Sequence, residues 1–445
     1  MTNCSGGSDL LAWGKFNEAT GAFHLLEHHC ADVAACFETL LANPVLRARF
    51  SNAVGGDGLS PQTATRLAVI AFLHDFGKIN SGFQFKVRNR DTLPPAPPPK
   101  MGHIDEAVFC VAQPDMPRRL GFDSLLPEWG DAVDALLRGA LSHHGRPPYT
   151  PHAAAGSRRI WEPFAGYDPR AAADLLRRRA RAWFPRAFDQ GPPLPASPAL
   201  AHLFAGTVAL ADQIGSDKCH FPYEPDPDPE YIQRARLLAR KAIRARGLEG
   251  GTSAARAVTP PFRAMFGHDE PRPLQNAVAA APLQSPLLIL ESETGSGKTE
   301  AAVMRFAALS KAGLVDGLYF ALPTRAAARQ LHRRVHRAMR ELLPADSAGG
   351  TVLAVPGYCV AGDATGTPIG GYQVYWEDRP DERDRVARWA AESTRHFLGA
   401  NAAVGTVDQA LLAALKTKWA HLRGALLSRS LLVVDEVHAS DAYMA

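Results

Sequence analysis

The stretch LAVIAFLHDFGK (67–78) places two ionisable residues at the end of an apolar helix. Its first seven residues all favour burial, so His74 and Asp75, which follow directly, are expected to be buried with them. A buried carboxylate beside a buried imidazole is costly unless a partner compensates both groups. A metal ion is one such partner, and an internal hydrogen bond is the other.

Four further segments of the first half also carry His or Asp at inward positions. In HLLEHHCADVAACFETLL (24–41), His29 continues the apolar stripe of a helix, with His28 as the alternative. One inward histidine is more often an ordinary core residue, whereas five such segments together favour a metal centre. The predicted ligands are His29, His74, Asp75, His103, His143, His144 and Asp212.

This ligand chemistry narrows the choice of metal. Imidazoles mixed with carboxylates suit Mn, Fe, Co, Ni or Zn better than Mg or Ca, and the predicted ions are Mn, Fe, Co or Ni. The set is large enough for two divalent ions with open positions, and Asp75 could bridge them.

Composition excludes several other classes of protein. The chain has 445 residues, 21% of them charged, and a formal net charge of +4, which is too weak to indicate nucleic-acid binding by itself. Local basic runs such as RRRARAWFPR (177–186), RARLLARKAIRAR (234–246) and RRVHRAMR (333–340) are either polyanion contacts or solvated helix faces. The cysteines are scattered without a CxxC pair, and no signal peptide or membrane-spanning run is present, so we expect a cytoplasmic protein.

The pattern changes near residue 262. Short apolar runs there alternate with helical stretches, which is typical of a parallel α/β sheet. The runs are LLILES (287–292), GLYFALP (317–323), TVLAVP (351–356), AAVGTV (402–407) and LLVVDE (431–436). The Gly-rich residues 343–385 look like an irregular insertion. We therefore expect a helical domain at 1–225, a basic helix and linker at 226–261, and an α/β domain at 262–445.

SETGSGKTEAA (292–302) follows an apolar run and opens a helix, which is the arrangement of a phosphate-binding loop. Lys298 would reach the β- and γ-phosphates, and the Thr299 hydroxyl would bind Mg²⁺. In LLVVDEVH (431–438), Asp435 fits as the acid that supports Mg²⁺, and Glu436 fits as the catalytic group that positions the attacking water. DEVH resembles the DExH form of helicase motif II, in which His438 would couple the nucleotide state to the second lobe of the motor.

Three weaker matches resemble helicase motifs. Gln275 of RPLQ (272–275) stands where such helicases read adenine. Thr324 and Arg325 of ALPTRAAARQL (321–331), and Thr406 and Gln409 of VGTVDQ (404–409), resemble positions that grip a DNA backbone. The predicted ATP-binding set is Gln275, Thr294, Gly295, Ser296, Gly297, Lys298, Thr299, Asp435 and Glu436.

The ordered stretches HCADVA (29–34), LHDFGK (73–78), SHHG (142–145) and ADQIGSD (211–217) resemble the HD nuclease domain of the CRISPR-associated helicase-nucleases of type I interference. That resemblance implies an all-α HD domain followed by a RecA-like P-loop domain of a DExH helicase. It further implies a metal-dependent nuclease for single-stranded DNA, with His74 and Asp75 catalytic. Its partner would be a guide-RNA surveillance complex. Lys78, one turn after His74, would either hold a phosphate oxygen or be a surface lysine.

Two alternatives share these motifs. One is an HD phosphohydrolase acting on small nucleotides with a regulatory P-loop domain. The other is a non-catalytic fragment that docks DNA or the complex. The chain ends ten residues after Asp435, so we expect the nuclease site to be complete and the motor to lack its second lobe.

Overall fold

The computed structural model describes residues 11–56, 58–113, 115–123, 125–126, 129–147, 158–250, 260–343, 350–369, 373–376 and 382–437. These residues form two compact units, one from 11–41 and 50–242 and the other from 42–49 and 243–437. Within them, no helix is long and apolar enough to cross a bilayer. His438 and residues 251–259 of the predicted linker lie outside the described ranges.

The first unit is built from helices and one short hairpin. Its strands are β1 (Trp13–Phe16) and β2 (Phe23–Leu25), which pair antiparallel. Its helices are α1 (Leu26–Leu41), α2 (Pro44–Val54), α3 (Pro61–Phe72), α4 (Ser81–Gln84), α5 (Ile104–Ala112), α6 (Met116–Arg119), α7 (Ala132–Leu141), α8 (Pro169–Trp183), α9 (Pro198–Gly215) and α10 (Tyr231–Arg244). The start of α2, up to residue 49, and the last two residues of α10 are assigned to the second unit. Helix α10 lies within 226–261, the range in which the sequence indicates a basic helix and linker.

Local sequence explains where helices α3 and α9 begin. The Ser60 side chain accepts a hydrogen bond from Thr63 N at the start of α3, and Ser197 does the same for Leu200 N at the start of α9. In both helices a proline follows the cap, where its missing N–H costs nothing. Both helices then pack against α1, which is buried along most of its length. The unit therefore has a three-helix centre: His29 lies on α1, Asp212 lies on α9, and His74 and Asp75 directly follow α3.

The second unit is an α/β domain with a seven-stranded sheet in the order β7-β6-β5-β4-β8-β3-β9. Its strands are β3 (Gly317–Leu322), β4 (Thr351–Ala354), β5 (Cys359–Ala361), β6 (Ala364–Ile369), β7 (Gln373–Trp376), β8 (Ala402–Thr406) and β9 (Ser430–Val434). Its helices are α11 (Phe262–Phe266), α12 (Pro273–Ala280), α13 (Lys298–Lys311), α14 (Arg325–Leu342), α15 (Glu382–Ala391), α16 (Val407–Leu411) and α17 (Ala420–Leu427).

The parallel core of this sheet confirms four of the five predicted strands. β4, β8, β3 and β9 run parallel, and all six residues of β3 are buried. Phe320 and Val404 of the sheet pack with Val303 of α13 and Val335 of α14 in one apolar cluster. The predicted order, a helical unit followed by an α/β unit with a mainly parallel sheet, is confirmed.

Two sequence predictions about this unit are wrong. Residues 359–376, expected to be irregular, form the antiparallel strands β5, β6 and β7; glycine and proline in β6 hid the strand pattern. The run at 287–292 does not form a strand, and its Leu287 and Ile289 are 74% and 82% exposed. An apolar run supplies the side chains for a buried strand, but it does not supply the neighbouring backbone that pairs with it.

The short segment 42–49 belongs to the second unit although it lies early in the chain. Asn43 Nδ2 donates to Asp316 Oδ2 at 2.6 Å, and Asp316 Oδ1 accepts from Arg429 Nε at 2.9 Å. Arg49 Nε donates to the Ser428 carbonyl at 2.8 Å. The second unit thus includes contacts between residues from the two ends of the sequence.

Candidate functional site

His74 and Asp75 reach the centre of the first unit because the chain changes its helical geometry there. After α3, residues 73–79 tighten into a 3₁₀ helix, and Asp75 leaves helical dihedrals with φ −114° and ψ 16°. Neighbouring residues of an α-helix point about 100° apart. The altered turn lets both side chains face the same point, where both are buried.

The two carboxylate oxygens of Asp75 face two different pairs of histidines. Oδ2 lies 3.0 Å from His29 Nε2 and 3.3 Å from His74 Nε2. Oδ1 lies 3.2 Å from His103 Nε2 and 3.4 Å from His143 Nε2. Asp75 therefore stands between two imidazole pairs, which is the geometry of a bridging ligand.

Two further predicted ligands complete the pairs. Asp212 Oδ1 of α9 lies 3.6 Å from the Nε2 atoms of both His29 and His74. On the other side, His144 Nε2 lies 3.2 Å from His103 Nε2. The structure brings all seven sequence-predicted ligands together, as two groups that share Asp75. The alternative His28 points elsewhere, with its ring stacked 3.9 Å from that of Tyr231.

The orientation of the histidines suits metal binding. His74 Nδ1 donates to the Ala71 carbonyl at 3.0 Å, and His143 Nδ1 donates to the Ala140 carbonyl at 2.8 Å. These bonds hold each Nε2 atom toward Asp75, where it offers a lone pair whenever the imidazole is neutral. Among the described residues, His74 Nε2 and Asp75 Oδ1 are buried without a hydrogen-bond partner. Unpaired buried acceptors of this kind are what a divalent cation would satisfy, so the residues fit a metal centre.

The protonation states of most of the candidate ligands also favour metal binding. Burial lowers the pKa of His29 well below its usual value and lowers the pKa of His144 to about 4, so both are neutral at pH 7. Burial would raise the pKa of Asp75, but the positive charges of Lys78, His74 and His103 have the larger effect. They lower that pKa well below its usual value, so the carboxylate is ionised. His74 differs: burial opposes its charge, yet Asp75 and Asp212 raise its pKa to about 9. A metal ion would have to displace that proton.

Two lysines adjoin the centre. Lys78 Nζ lies 2.5 Å from Asp75 Oδ2 and donates to the Gly14 carbonyl at 3.0 Å. It is 6% exposed, so the structure rules out a surface lysine. Lys15 of β1 was missed by the sequence interpretation: its Nζ donates to Ser216 Oγ at 2.6 Å, and that hydroxyl donates to Asp212 Oδ1 at 3.1 Å.

The predicted phosphate loop lines a cavity of about 620 Å³ in the second unit. Gly295 and Gly297 have φ of 79° and 92°, a conformation that glycine adopts without strain. Lys298 opens α13 and its Nζ donates to the carbonyls of Ser292 and Glu293 at 3.1 and 3.2 Å. These carbonyls hold the ammonium group where a phosphate would compete for it.

The other predicted nucleotide residues meet in the same cavity. Gln275, Thr294 and Thr299 line it, as do Asp435 and Glu436, while Ser296 Oγ bonds Ser292 Oγ at 2.7 Å within the loop. Gln275 is 3% exposed, and its Nε2 donates to the Gly297 carbonyl at 3.3 Å. The structure thus joins residues that lie 160 positions apart in the sequence.

The four predicted DNA contacts differ in accessibility. Thr324 caps α14 by accepting from Ala327 N at 3.2 Å, and both Thr324 and Arg325 are exposed. Thr406 and Gln409 are 5% and 7% exposed. In this conformation the first pair is accessible to a ligand, whereas the second pair is buried.

Comparison with known proteins finds relatives that cover both units. Residues 13–221 match the family described as Cas3, HD domain. The chain is 31% identical to the CRISPR-associated endonuclease/helicase Cas3 of Thermus thermophilus (98% of this chain, 47% of the relative) and 27% identical to that of Escherichia coli (97% and 51%).

Solved structures give the same result. A crystal structure of T. fusca Cas3-ATP superposes with a TM-score of 0.69 at 25% identity, covering 97% of this chain and 47% of that one. A crystal structure of a CRISPR-associated protein gives a TM-score of 0.73 at 26% identity, covering 98% and 49%. The chain spans about half the length of the curated relatives it matches. The resemblance to the CRISPR-associated helicase-nucleases, and the fold of an HD domain followed by a RecA-like domain, are confirmed.

Proposed function

We propose that this chain, as a relative of the CRISPR-associated helicase-nucleases, carries a metal-dependent nuclease for single-stranded DNA joined to the first lobe of an ATP-driven DExH helicase. Its biological role would be degradation of target DNA in type I CRISPR interference. The observation that carries the proposal is the shared carboxylate of Asp75, with three predicted ligands on one side and three on the other.

The donor atoms suit two divalent transition-metal ions, among Mn, Fe, Co and Ni. His29, His74 and Asp212 would hold one ion and His103, His143 and His144 the other, with Asp75 between them. Two such ions, when bound, would activate water and clamp the scissile phosphate and its leaving oxygen.

The protein's own residues have separable tasks in this centre. The backbone carbonyls of Ala71 and Ala140 orient two imidazoles before any ligand arrives. Lys78 neutralises Asp75 at rest, and it would turn toward a phosphate oxygen once cations take over that role. Lys15 would restrain Asp212 through Ser216. Each task is electrostatic positioning, which is strongest in a buried site.

The second unit would bind ATP and Mg²⁺ in its cavity. Lys298 would exchange its two carbonyl partners for the β- and γ-phosphates, and Thr299 would reach Mg²⁺. Asp435 would support the ion and Glu436 would position water. Thr324, Arg325, Thr406 and Gln409 would contact DNA, and a guide-RNA surveillance complex would deliver the chain to its target.

The direct test is cleavage of circular single-stranded DNA without ATP, in Mn²⁺, Co²⁺ or Ni²⁺, by the wild-type chain and by a His74→Ala, Asp75→Ala double variant. We expect cleavage by the wild type and its loss in the variant, because both groups of ligands lose Asp75. His202→Ala is the matched control, since His202 is an exposed histidine of α9, the helix that carries Asp212. It should cleave as the wild type does.

Binding measurements make a negative result informative. If the wild type binds two ions but cleaves no DNA with any of them, the nuclease proposal is wrong, and deoxynucleoside triphosphates would be tried as substrates instead. If it binds no metal, the proposed centre itself is refuted.

A further inference from the structure

The exposed side of α14 carries an unusual number of positive charges. Arg325, Arg329, Arg333 and Arg337 recur at every fourth residue and are all exposed. Their opposite side is buried: Leu331, Val335 and Met339 pack into the core of the second unit. We call these four residues the arginine face.

The arginine face is electrostatically unfavourable in the isolated helix. Residues four apart on a helix are neighbours, and three successive pairs here have the same charge. Arg325 also stands in the first turn, where the helix dipole disfavours a cation. No carboxylate among the described residues pairs with any of the four. An arrangement that costs stability and has no carboxylate partner among the described residues indicates an external anion.

Two other arginines of α14 show what internal pairing looks like. Arg334 Nη2 lies 2.7 Å from Glu300 Oε1, and Arg340 Nη1 lies 3.6 Å from Asp363 Oδ2. Both of these have a carboxylate from another element of the same unit. The arginine face is therefore distinct from ordinary surface pairing on the same helix.

An aromatic side chain beside the arginine face identifies the class of anion. Arg329 Cζ lies 5.2 Å from the ring centre of Tyr358, which is 38% exposed. Positive charge that follows a backbone, combined with an exposed ring on which a base can stack, is the usual composition of a single-stranded nucleic-acid surface. An acidic protein surface would use the arginines and would have no need of the ring.

The dimensions agree with a strand of several nucleotides. Residues 325–337 rise about 18 Å along the helix axis. A strand in B-form geometry places a phosphate about every 3.4 Å, so about five phosphates would span that length. The face begins at Arg325, which is one of the predicted DNA contacts.

We propose that the arginine face and Tyr358 form a track for single-stranded DNA that continues from the Thr324–Arg325 turn along α14. This deepens the proposed function and rests on it. The arginines bind phosphates without reading sequence, and Tyr358 stacks on a base. The track lengthens the contact beyond the turn and holds the strand against the second unit.

The test is the salt dependence of oligothymidylate binding, measured by fluorescence anisotropy in EDTA so that no cleavage occurs. The variant is Arg329→Gln, Arg333→Gln, Arg337→Gln. Each phosphate contact contributes about 0.7 to the slope of log affinity against log salt for single strands. Loss of three contacts lowers that slope by about 2, so a fourfold rise in salt weakens the wild type about 20-fold more than the variant.

Matched controls separate the track from net charge and from misfolding. Arg240→Gln, Lys241→Gln, Arg244→Gln removes the same charge from the exposed side of α10 and should keep the wild-type slope. Tyr358→Ala should lower affinity roughly 5- to 100-fold without changing the slope, whereas Tyr358→Phe keeps a ring and should bind as the wild type. Removing like charges should leave the melting temperature of the arginine variant unchanged or higher.

The outcomes distinguish this proposal from the function on which it rests. If the wild type binds oligothymidylate and the arginine variant binds with the same slope, the track is refuted while the nuclease proposal stands. If the arginine variant keeps its DNA slope but loses binding to poly-glutamate, the face fits an acidic protein and the DNA proposal is overturned. If the wild type binds no DNA in EDTA, the track is refuted, and the cleavage test in Mn²⁺ decides the nuclease proposal separately.

Discussion

Replacing Gly77 by alanine should remove one half of the candidate metal centre while leaving the other. A Cβ built on Gly77 would lie 1.9 Å from the His103 carbonyl oxygen and 2.8 Å from Ala107 Cβ. An ordinary contact begins at 3.4 Å, so the start of α5 would have to retreat by 1.5 Å. His103 Nε2 now lies 3.2 Å from Asp75 Oδ1, and a shift of that size would separate the two.

The consequences follow from that displacement. Overpacking of this kind costs roughly 1–3 kcal/mol of unfolding free energy, so the domain should still fold. A misplacement of about 1 Å near reacting groups can slow a reaction about 100-fold. We therefore expect Gly77→Ala to bind one manganese ion where the wild type binds two, and to cleave circular single-stranded DNA about 100-fold more slowly.

The assay is metal content by mass spectrometry together with the cleavage rate in Mn²⁺. Gly139→Ala is the control. Gly139 lies inside α7, and its added Cβ would meet Ala205 Cβ of α9 at 3.4 Å, which is an ordinary contact. It should bind two ions and be slightly more stable, since alanine favours a helix interior. Two bound ions and a wild-type rate in Gly77→Ala would refute the reasoning, and so would the same loss of activity in Gly139→Ala.

Two further predictions concern the nucleotide cavity and a buried histidine. Lys298→Ala should weaken ATP binding roughly 10- to 100-fold, because it removes a charge-assisted contact to phosphate. It should leave ATP-free DNA cleavage unchanged. If the variant and the wild type bind ATP with equal affinity in a nucleotide titration, the phosphate loop is wrongly assigned. Burial lowers the pKa of His28 to about 4, so the native state stays neutral while the unfolded chain binds a proton below about pH 6.5. The unfolding free energy should therefore fall between pH 6.5 and 4, and His28 should account for about 2 kcal/mol of that loss at pH 5. In urea titrations at several pH values, the unfolding free energy of His28→Gln should fall less steeply with pH than that of the wild type. Equal slopes would show that His28 is not the cause.

Helical spacing was sufficient to select inward-facing candidate ligands such as His29, but not to show how the candidates are divided around Asp75. His29 follows from the stripe of α1, because a 3.6-residue period holds wherever the helix packs. The division of six residues between the two oxygens of Asp75 depends on the non-helical dihedrals of Asp75 itself, which no periodicity encodes. The bridging role was therefore predictable as a possibility, and its geometry was not.

Lys15 shows a second kind of limit. It lies in a four-residue strand, and its partner Ser216 is 201 positions away. A single lysine in WGKF carries no local signal that separates it from a surface residue. The same reasoning applies to Thr406 and Gln409, whose motif was recognised but whose burial depends on the packing of β8 and α16.

The segment 42–49 has a consequence for how the protein folds as it is synthesised. Arg49 emerges early from the ribosome, but its partner Ser428 follows 379 residues later. At bacterial-type rates of about 5–20 residues per second, that interval is roughly 20–75 s. During that time Asn43 and Arg49 lack their final contacts, whereas the helices that carry the candidate metal ligands already have all their residues available by position 215. Nascent chains should therefore acquire the metal centre well before the second unit closes on this early segment.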